Sequence, residues 1–296
     1  MERNALKETF DRDGYVLLKE VIGPEELAEL RNETGRMIEE GWRGKEPAQH
    51  YFHAPNPSSG EDVFHRVQFI FSKAQRQPNP FLALLGHPRL LDVVARLHAG
   101  FHSGISGEAL VFKTPRNGRE VPLHCDGAEW HPQLTPREIF FNVDVYLDDA
   151  TPENGCLLAV PGSHLRPARE RIQQGFALPG LIPVPAQAGD VIVHSTRVIH
   201  GSHASRSASL RRTIYYEFRT LEWMASPEHA QLMGKAEREL TPWIRARARL
   251  LQHAIALRRT CSHAAGEVET AFRIPEAWLE QTGELELSPS FGGSYF

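Results

Sequence analysis

The N-terminal part of the chain combines one apolar run with one helical pattern. A short amphipathic stretch over residues 6–12 is followed by Gly14 and the apolar run YVLLKEVI. The tripeptide Gly23-Pro24-Glu25 then places a proline where a helix would begin and an acid in its first turn. Apolar residues follow at helical spacing, at Leu27, Leu30, Met37 and Ile38. The pattern predicts a strand, a turn and an amphipathic helix.

Residues 44–62 interrupt this pattern with proline, serine, glycine and histidine. The segment is longer than most connections between elements, and long loops are often functional. We therefore predict either a lid over a pocket or an exposed loop without a role. The next run, over residues 63–71, alternates like a strand and places Phe64, Arg66 and Gln68 on one face.

Strand signals dominate the middle of the chain. Short apolar runs separated by turn residues occupy residues 108–113, 138–147, 156–160, 189–193 and 212–218. Residues 80–97 carry two helical patterns divided by Gly86-His87-Pro88, and residues 226–259 are helical by periodicity and alanine content. This order predicts a β-sandwich or open barrel with a helical layer on one side.

Composition excludes some classes of protein. The 296 residues are 41% hydrophobic and 24% charged, with a net charge of −4, which describes an ordinary globular protein. The pI near 6.4 argues against a nucleic-acid binder, since such proteins are usually clearly basic. Because no sharp break in composition divides the chain, we predict a single domain over residues 1–296.

The cysteines and the N-terminus bear on location. Cys125, Cys156 and Cys261 have no paired spacing, which suits a reducing compartment better than a disulfide framework. The N-terminus lacks an apolar signal core, and no run reaches the roughly 18 apolar residues that a membrane span requires. We predict a cytoplasmic protein that binds no membrane. Nothing in the sequence indicates an oligomeric state.

The stretch VPLHCD contains the first candidate chemistry. His124 and Asp126 follow a predicted edge strand over residues 108–113, and side chains two residues apart in an extended segment share a face. A later His200 would complete the two-histidine, one-carboxylate set typical of non-haem Fe(II) oxygenases. A His-x-Asp tripeptide alone is a weak signal. Cys125 should point the opposite way and pack as a small hydrophobe.

Two further histidines compete with His200 for the ligand role. His194 shares its strand parity but is separated from it by a predicted bend, and His203 lies three residues beyond it. For both we favour a hydrogen-bonded core or surface histidine, because histidine is often part-buried without a ligand role. The glycine at position 201 would let the backbone bend tightly beside a crowded site.

Residues 211–218 alternate between a polar and an apolar face. Arg211, Thr213, Tyr215 and Glu217 share the polar face, while Arg212 lies on the other. An interior site that binds an anion would explain polar residues in a strand, since arginine holds a carboxylate by a charge-assisted fork. An edge strand carrying both arginines as solubilising charges explains the residues equally well.

Four motifs, in order, resemble one family. They are the opening FDRDGYVLLKEVI, the run LHCDG, the segment ENGCLLAVPGSH and the segment GDVIVHSTRVIHGSHASRSASLRR. Together they are similar to the phytanoyl-CoA dioxygenase family of Fe(II)/2-oxoglutarate oxygenases, over about residues 10–219. The resemblance implies a mainly β fold with a helical layer: a double-stranded β-helix, or cupin-like jelly roll. The core would span about residues 10–220, flanked by N-terminal helices and a C-terminal helical extension over about residues 221–296.

The resemblance also implies a set of site residues. His124, Asp126 and His200 match the family's iron ligands. Arg211 matches the arginine that pairs with the far carboxylate of 2-oxoglutarate, and this chooses it over Arg212. Ser202 and Lys113 fall where the family has further contacts to that cosubstrate. The segments that hold Asn154 and His164 are interpreted as structural.

The implied reaction uses Fe(II), 2-oxoglutarate and O2. It couples oxidative decarboxylation of 2-oxoglutarate, which yields succinate and CO2, to oxidation of a C–H bond. Related halogenases have a small residue where this chain has Asp126, so an aspartate predicts hydroxylation. Desaturation, cyclisation and epimerisation begin with the same hydrogen abstraction and stay open.

The substrate is the least defined part of the prediction. Plausible pocket residues are Phe64, Arg66, Gln68, Trp130 and His131, although each is as readily explained by packing. We expect a small metabolite or natural-product intermediate, since no basic patch demands the phosphates of coenzyme A. Two other classes stay open: a zinc hydrolase with the same three ligands, and a non-catalytic binding protein on a jelly-roll scaffold.

Overall fold

Two β-sheets form the framework of the protein. A computed structural model describes residues 3–44, 50–126, 140–166, 168–280 and 284–287. The strands of this part of the chain are β1 (Tyr15–Leu18), β2 (Tyr51–Pro55), β3 (Asp62–Gln68), β4 (Ser103–Lys113), β5 (Val121–His124), β6 (Phe141–Tyr146), β7 (Leu157–Ala159), β8 (Ile182–Val184), β9 (Val191–Ser195), β10 (His200–Ser202) and β11 (Arg211–Thr220). One sheet has the order β1-β9-β6-β11-β4-β3-β2 and the other the order β5-β10-β7-β8.

The helices of the described residues precede, interrupt and follow these strands. They are α1 (Arg3–Asp13), α2 (Pro24–Trp42), α3 (Ile70–Lys73), α4 (Pro80–Leu85), α5 (Pro88–Leu97), α6 (Arg169–Ile172), α7 (Leu221–Met224), α8 (Pro227–Leu232) and α9 (Glu237–Arg258). None of the helices in these ranges has both the length and the apolar character needed to cross a membrane.

The chain divides into two compact units. The first comprises Met1–Gln68, Ala109–Thr135 and Phe140–Tyr215, and the second comprises Phe69–Glu108, Pro136–Ile139 and Tyr216–Phe296. The single-domain organisation inferred from composition stays a prediction.

The first unit has the jelly-roll architecture that the resemblance implies. Strand pairs of both sheets run antiparallel, among them β6 with β9 and β5 with β10. Side chains of both sheets meet in one apolar cluster, which includes Tyr146 and Ile192 from the larger sheet and Leu157 and Val184 from the smaller. Burying such side chains contributes about 1.5–3 kcal/mol each, so this layer holds the two sheets together.

Local sequence signals explain where the helices begin. Helix α2 starts at Pro24 with Glu25 and Glu26 in its first turn, and its buried face contains the predicted apolar residues. Helix α4 is capped by Asn79, whose side chain accepts hydrogen bonds from the backbone N–H groups of the first turn. Proline is favoured at the first helical position, and asparagine is a favoured N-cap residue.

The structure corrects several of the sequence-based boundaries. The loop predicted over residues 44–62 contains strand β2, which pairs with β3. The strand predicted over residues 63–71 ends at Gln68, because Phe69 adopts a left-handed φ of 58° and helix α3 follows. The helix predicted over residues 226–259 is two helices, with Gly234 at φ +60° between them. Strand β8 was not predicted.

The predicted position of one strand in its sheet is also wrong. Residues 108–113 belong to β4, which begins at Ser103 and lies between β11 and β3, so it is not an edge strand. Strand β11 lies between β6 and β4, which excludes the edge-strand explanation for its arginines.

His229, in the second unit, is buried among aromatic rings. Its ring centroid lies 4.3 Å from that of Trp223 and 6.5 Å from that of Trp243. Its Nδ1 lies 2.7 Å from the carbonyl oxygen of Met224, whereas its Nε2 has no hydrogen-bond partner among the described residues. Burial lowers the pKa of His229 to about 4. The imidazole is therefore neutral in the folded protein above this pH.

Acid should destabilise the protein through this histidine. Below pH 6.5 the unfolded chain protonates His229 while the folded chain does not, so stability present above pH 6.5 is lost as the pH falls towards 4. The unfolding free energy of the wild type should fall between pH 7 and pH 5. We expect this fall to be about 1–2 kcal/mol smaller in the His229→Gln variant. Denaturant unfolding at both pH values measures the difference. Identical losses in the two proteins would contradict the assignment.

Candidate metal centre

Strands β5 and β10 bring two histidines face to face. His200 is the register partner of His124, and the two ring centroids lie 4.2 Å apart. Gly201 makes this pairing possible, because a Cβ at that position would lie 2.7 Å from the carbonyl oxygen of Val121. The crowding expected around this glycine is therefore real, and it comes from the backbone of β5.

Asp126 completes the cluster. It lies in a bend just after β5, and its Oδ1 is 3.3 Å from Nε2 of His124 while its Oδ2 is 3.6 Å from Nε2 of His200. The three candidate ligand atoms all lie within 4.8 Å of one another. Two imidazoles and one carboxylate at this spacing fit a metal ion such as Fe(II), which accepts nitrogen and oxygen donors together.

Backbone carbonyl groups orient both histidines. Nδ1 of His124 lies 2.9 Å from the carbonyl oxygen of Pro122, and Nδ1 of His200 lies 2.9 Å from that of Val198. A carbonyl can only accept, so the proton of each neutral ring is assigned to Nδ1. The lone pair is then on Nε2, the atom that faces Asp126, as in histidines that bind metals.

The charge states of His200 and Asp126 also suit metal binding. Burial, and then the neighbouring His124, lower the pKa of His200 to about 3. Burial raises the pKa of Asp126, but His200 and His124 outweigh this effect and hold it well below its usual value. At neutral pH the aspartate is an anion and His200 is neutral, which are the forms that bind a metal.

Arg211 lies inside the first unit and forms no salt bridge with a carboxylate of the described residues. It is 3% exposed, and its Nη1 donates a hydrogen bond of 3.1 Å to the carbonyl oxygen of Gly155. Its Nε has no hydrogen-bond partner among the described residues, and its guanidinium carbon is 5.8 Å from the centre of the Tyr146 ring. A buried cation with an unused donor fits a bound carboxylate, since an unpaired buried charge is costly.

Lys113 adds a buried amine near the guanidinium of Arg211. It is 2% exposed, and its Nζ donates to the carbonyl oxygen of Arg119 at 2.5 Å. Burial, and then the charge of Arg211, lowers its pKa well below the usual value. Gly155 leaves the room that this amine occupies, because a Cβ there would lie 2.7 Å from Cε of Lys113.

Arg212 takes the opposite face of β11, as the alternation predicts. Its Nε and Nη2 each donate to the carboxylate of Asp148 at 2.8 Å, and its Nη1 donates to the carbonyl oxygen of Arg31 at 3.0 Å. Arg212 is therefore already paired, whereas Nε of Arg211 makes no hydrogen bond within the part of the chain that the structure describes. Ser202 is buried on β10 opposite Val121.

The competing histidines are not part of the cluster of three. His194 is fully buried, as favoured from the sequence, but its ring centroid lies 4.5 Å from that of His200 and its Nε2 lies 3.2 Å from Oδ2 of Asp144. His203 packs against Phe176, with ring centroids 4.3 Å apart.

Two polar residues next to the cluster were missed from the sequence. Asn142 donates a hydrogen bond of 2.9 Å from Nδ2 to Oδ2 of Asp126, and Asp144 pairs with His194. Both lie on β6, whose sequence FNVDVY alternates polar with apolar residues. That alternation was the available signal, since polar residues at every second position share one face.

Three residues have the structural roles that the sequence suggested. Cys125 belongs to an apolar cluster with Leu123 and Ile199. The Asn154 side chain accepts a hydrogen bond of 2.7 Å from the Thr151 backbone and donates one of 2.7 Å to the carbonyl oxygen of Asp149. His164 lies with Nε2 3.1 Å from the carbonyl oxygen of Asp11.

The candidate substrate residues lie on β3 or outside the described residues. Phe64 is buried and packs against Phe112, with ring centroids 4.8 Å apart. The Arg66 guanidinium lies 5.5 Å from the centre of the Phe52 ring, and Gln68 is 9% exposed. Trp130 and His131 fall outside the described residues. A role in substrate binding stays a prediction for all five.

Comparisons with known proteins identify the family to which the chain is similar. Residues 10–213 match the family described as phytanoyl-CoA dioxygenase (PhyH). Ectoine dioxygenase of Sphingopyxis alaskensis is 26% identical over 223 residues, which cover 66% of this chain and 69% of that protein.

Solved structures show the same similarity. The crystal structure of AviO1 from Streptomyces viridochromogenes has 33% identity and a TM-score of 0.61, covering 74% of this chain and 95% of its own. The structure of EctD from S. alaskensis with 2-oxoglutarate and 5-hydroxyectoine has 25% identity and a TM-score of 0.60. The match covers 74% of this chain and 76% of the EctD chain.

Proposed function

The chain belongs to the phytanoyl-CoA dioxygenase family of Fe(II)/2-oxoglutarate-dependent dioxygenases, and on that premise we propose that His124, Asp126 and His200 hold the iron. The observation that carries the proposal is the convergence of their ligand atoms within 4.8 Å, with both imidazole lone pairs turned towards the carboxylate. Fe(II), 2-oxoglutarate and O2 are the cofactor and cosubstrates. Together they supply an oxidation coupled to the decarboxylation of 2-oxoglutarate to succinate and CO2.

We assign the far carboxylate of 2-oxoglutarate to Arg211. The unused Nε and the buried position of the guanidinium support this role, since a charge-assisted hydrogen bond is strong where water is excluded. Lys113 would contact the cosubstrate, and the Ser202 hydroxyl would donate a hydrogen bond to the same carboxylate. We do not assign this role to Arg212, because its Nε and Nη2 already donate to the carboxylate of Asp148.

The three proposed ligands leave part of the coordination sphere for other groups. Asn142 donates to one oxygen of Asp126, which leaves the other oxygen of that carboxylate for the metal. The side chain of His124 is 41% exposed, whereas those of His200 and Asp126 are 9% and 10% exposed. Access to the metal would therefore be from the side of His124, and the substrate would approach from there.

We propose hydroxylation of a small metabolite or natural-product intermediate as the reaction. Asp126 supports oxygen transfer because it fills the position that halogenases leave open. Desaturation, cyclisation and epimerisation are the alternatives that product analysis would distinguish. A cytoplasmic location, no nucleic-acid partner and no membrane partner are part of the same proposal. The three cysteines are buried thiols that form no disulfide within the described residues, which supports the reducing location.

Succinate release from 2-oxoglutarate tests the function. Apo-protein should form succinate in the presence of Fe(II), O2 and a suitable member of a metabolite panel, and each omission should stop it. Zn(II) in place of Fe(II) should give no turnover. Turnover with Zn(II) but not with Fe(II) would instead support a zinc hydrolase. If no member of a broad panel led to succinate formation, a non-catalytic binding protein would be supported.

The carboxylate of Asp126 is expected to be essential for hydroxylation. In the Asp126→Gly variant the two histidines keep their carbonyl contacts, but the only anionic ligand of the three is lost. We expect hydroxylated product to fall by at least about a hundredfold, since an anionic ligand contributes several kcal/mol to a metal site. Mass spectrometry of the product with the substrate identified in the panel measures this. Normal hydroxylation by the variant would show that Asp126 is not an essential ligand.

A further inference from the structure

A second layer of polar side chains lies behind the three candidate ligands. Asn142 on β6 and His194 on β9 are register partners, so their side chains project from the same face of the larger sheet. Asn142 donates to Asp126 at 2.9 Å, and the ring of His194 lies 4.5 Å from the ring of His200. Each of these partners therefore contacts a different candidate ligand.

Asp144 is the group that holds His194. It lies two residues after Asn142, on the same face of β6, and its Oδ2 is 3.2 Å from Nε2 of His194. Both side chains are fully buried. Neither oxygen of this carboxylate, and not Nε2 of His194 either, makes a hydrogen bond to a described residue, so the 3.2 Å contact is a close pair of buried polar groups. His194 is thus the nearest partner for a charge that burial would otherwise make very costly.

Stability alone does not explain this pair. Two charged groups removed from water lose hydration that their attraction barely repays, and apolar residues of similar volume often serve as well or better. The pair instead occupies the space directly beside a candidate ligand. The contact with Asp144 on one side and the ring of His200 on the other fixes the position of the His194 ring.

His200 needs such support. Its Nδ1 contact with the carbonyl oxygen of Val198, at 2.9 Å, defines one point of the ring, and the His124 ring also lies against it, with its centroid 4.2 Å away. The His194 ring lies against it at an interplanar angle of 53°, so the two neighbouring rings together limit its tilt. A metal site held loosely by even an ångström loses affinity and activity, so the supporting residues matter.

We propose that His194, held in place by Asp144, is a positioning residue that fixes the imidazole of His200 for metal binding. This proposal rests on the proposed function, since it takes His200 as a ligand. It assigns to His194 no contact with the metal itself. Asp144 acts through His194, and the ring of His194 acts through packing against His200.

The test uses Co(II) as the metal probe under anaerobic conditions. Its visible absorption bands report both the affinity and the geometry of the site, independently of turnover. For the His194→Ala variant we expect the Kd for Co(II) to rise about 10- to 100-fold with an altered spectrum, the range typical of residues that support metal ligands. The Asp144→Leu variant should change both in the same direction while keeping the imidazole of His194.

Two further variants separate positioning from a general effect on folding. Asp144→Asn keeps an oxygen that can accept from Nε2 of His194, so it should restore most of the affinity lost in Asp144→Leu. His98→Ala is the matched control: His98 is a buried histidine of the second unit, with Nδ1 2.8 Å from the Ser103 hydroxyl. It should leave the Kd for Co(II) and the spectrum unchanged.

The outcomes distinguish this proposal from the proposed function. If His200→Ala binds Co(II) as the wild type does, the ligand assignment itself is wrong. If His200→Ala loses Co(II) while His194→Ala and Asp144→Leu keep wild-type Kd and spectrum, only the positioning role is overturned. If His194→Ala does not fold, the two Asp144 variants decide. A higher Kd for Co(II) in Asp144→Leu than in Asp144→Asn supports the positioning role, and equal Kd values contradict it.

Discussion

The His200→Ala variant is expected to lose Fe(II)-dependent succinate formation by roughly a thousandfold or more, because it removes the ligand contributed by β10. The two remaining donors, His124 and Asp126, come from one short stretch beside β5 and cannot enclose a metal from two sides. We expect the same loss for His124→Ala and Asp126→Ala. Succinate assays at saturating Fe(II), with bound iron measured in parallel, check this.

A neighbouring histidine supplies the control for this prediction. His203 lies three residues from His200 but packs against Phe176 and is exposed, so His203→Ala should keep wild-type turnover and iron content. Full activity in any one of the three ligand variants would remove that residue from the proposed set.

The Arg211→Ala variant should raise the 2-oxoglutarate concentration needed for half-maximal turnover by on the order of a hundredfold, since truncating one member of a buried charge pair costs about 2–5 kcal/mol. The variant leaves the far carboxylate without a partner where water is scarce. Arg211→Lys should need a 2-oxoglutarate concentration between those of the wild type and Arg211→Ala, because lysine keeps the positive charge but cannot form the two-pronged hydrogen bond of a guanidinium. Initial rates against 2-oxoglutarate concentration give the comparison.

Arg212→Ala is the matched control for this second prediction. Its guanidinium is paired with Asp148 on the opposite face of β11, so its loss should lower stability and leave the 2-oxoglutarate requirement unchanged. An unchanged requirement in Arg211→Ala would show that another residue, such as Arg212 or Lys113, holds the carboxylate.

The sequence contained enough information to place the candidate ligands but not the side chains behind them. The proximity of His124 and Asp126 follows from local geometry, since two residues of extended chain place both side chains on one side. The inward direction of Arg211 follows from the alternation of β11, which depends only on strand periodicity. The position of His200 beside them was predicted from the family resemblance, because no local rule sets the pairing of β10 with β5.

The missed features depend on contacts between distant parts of the chain. Asn142 lies beside His194 only because β6 and β9 pair in one register, and a shift of one residue would turn one of the two side chains to the other face of the sheet. The central place of β4 depends in the same way on partners on both sides. Strand β2 escaped detection because the proline and histidine around it resemble a loop, and pairing with β3 overrides that local preference.

We propose that His124, Asp126 and His200 hold Fe(II) so that 2-oxoglutarate can bind it, with Arg211 at the far end of the cosubstrate. Anaerobic titration of 2-oxoglutarate into the Fe(II)-loaded protein, followed by the visible charge-transfer absorption of the complex, tests this most directly. We predict a band that saturates at equimolar 2-oxoglutarate, is absent in Asp126→Ala and needs far more 2-oxoglutarate in Arg211→Ala. A wild-type protein that binds Fe(II) but develops no band, or a band that persists unchanged in both variants, would contradict the account.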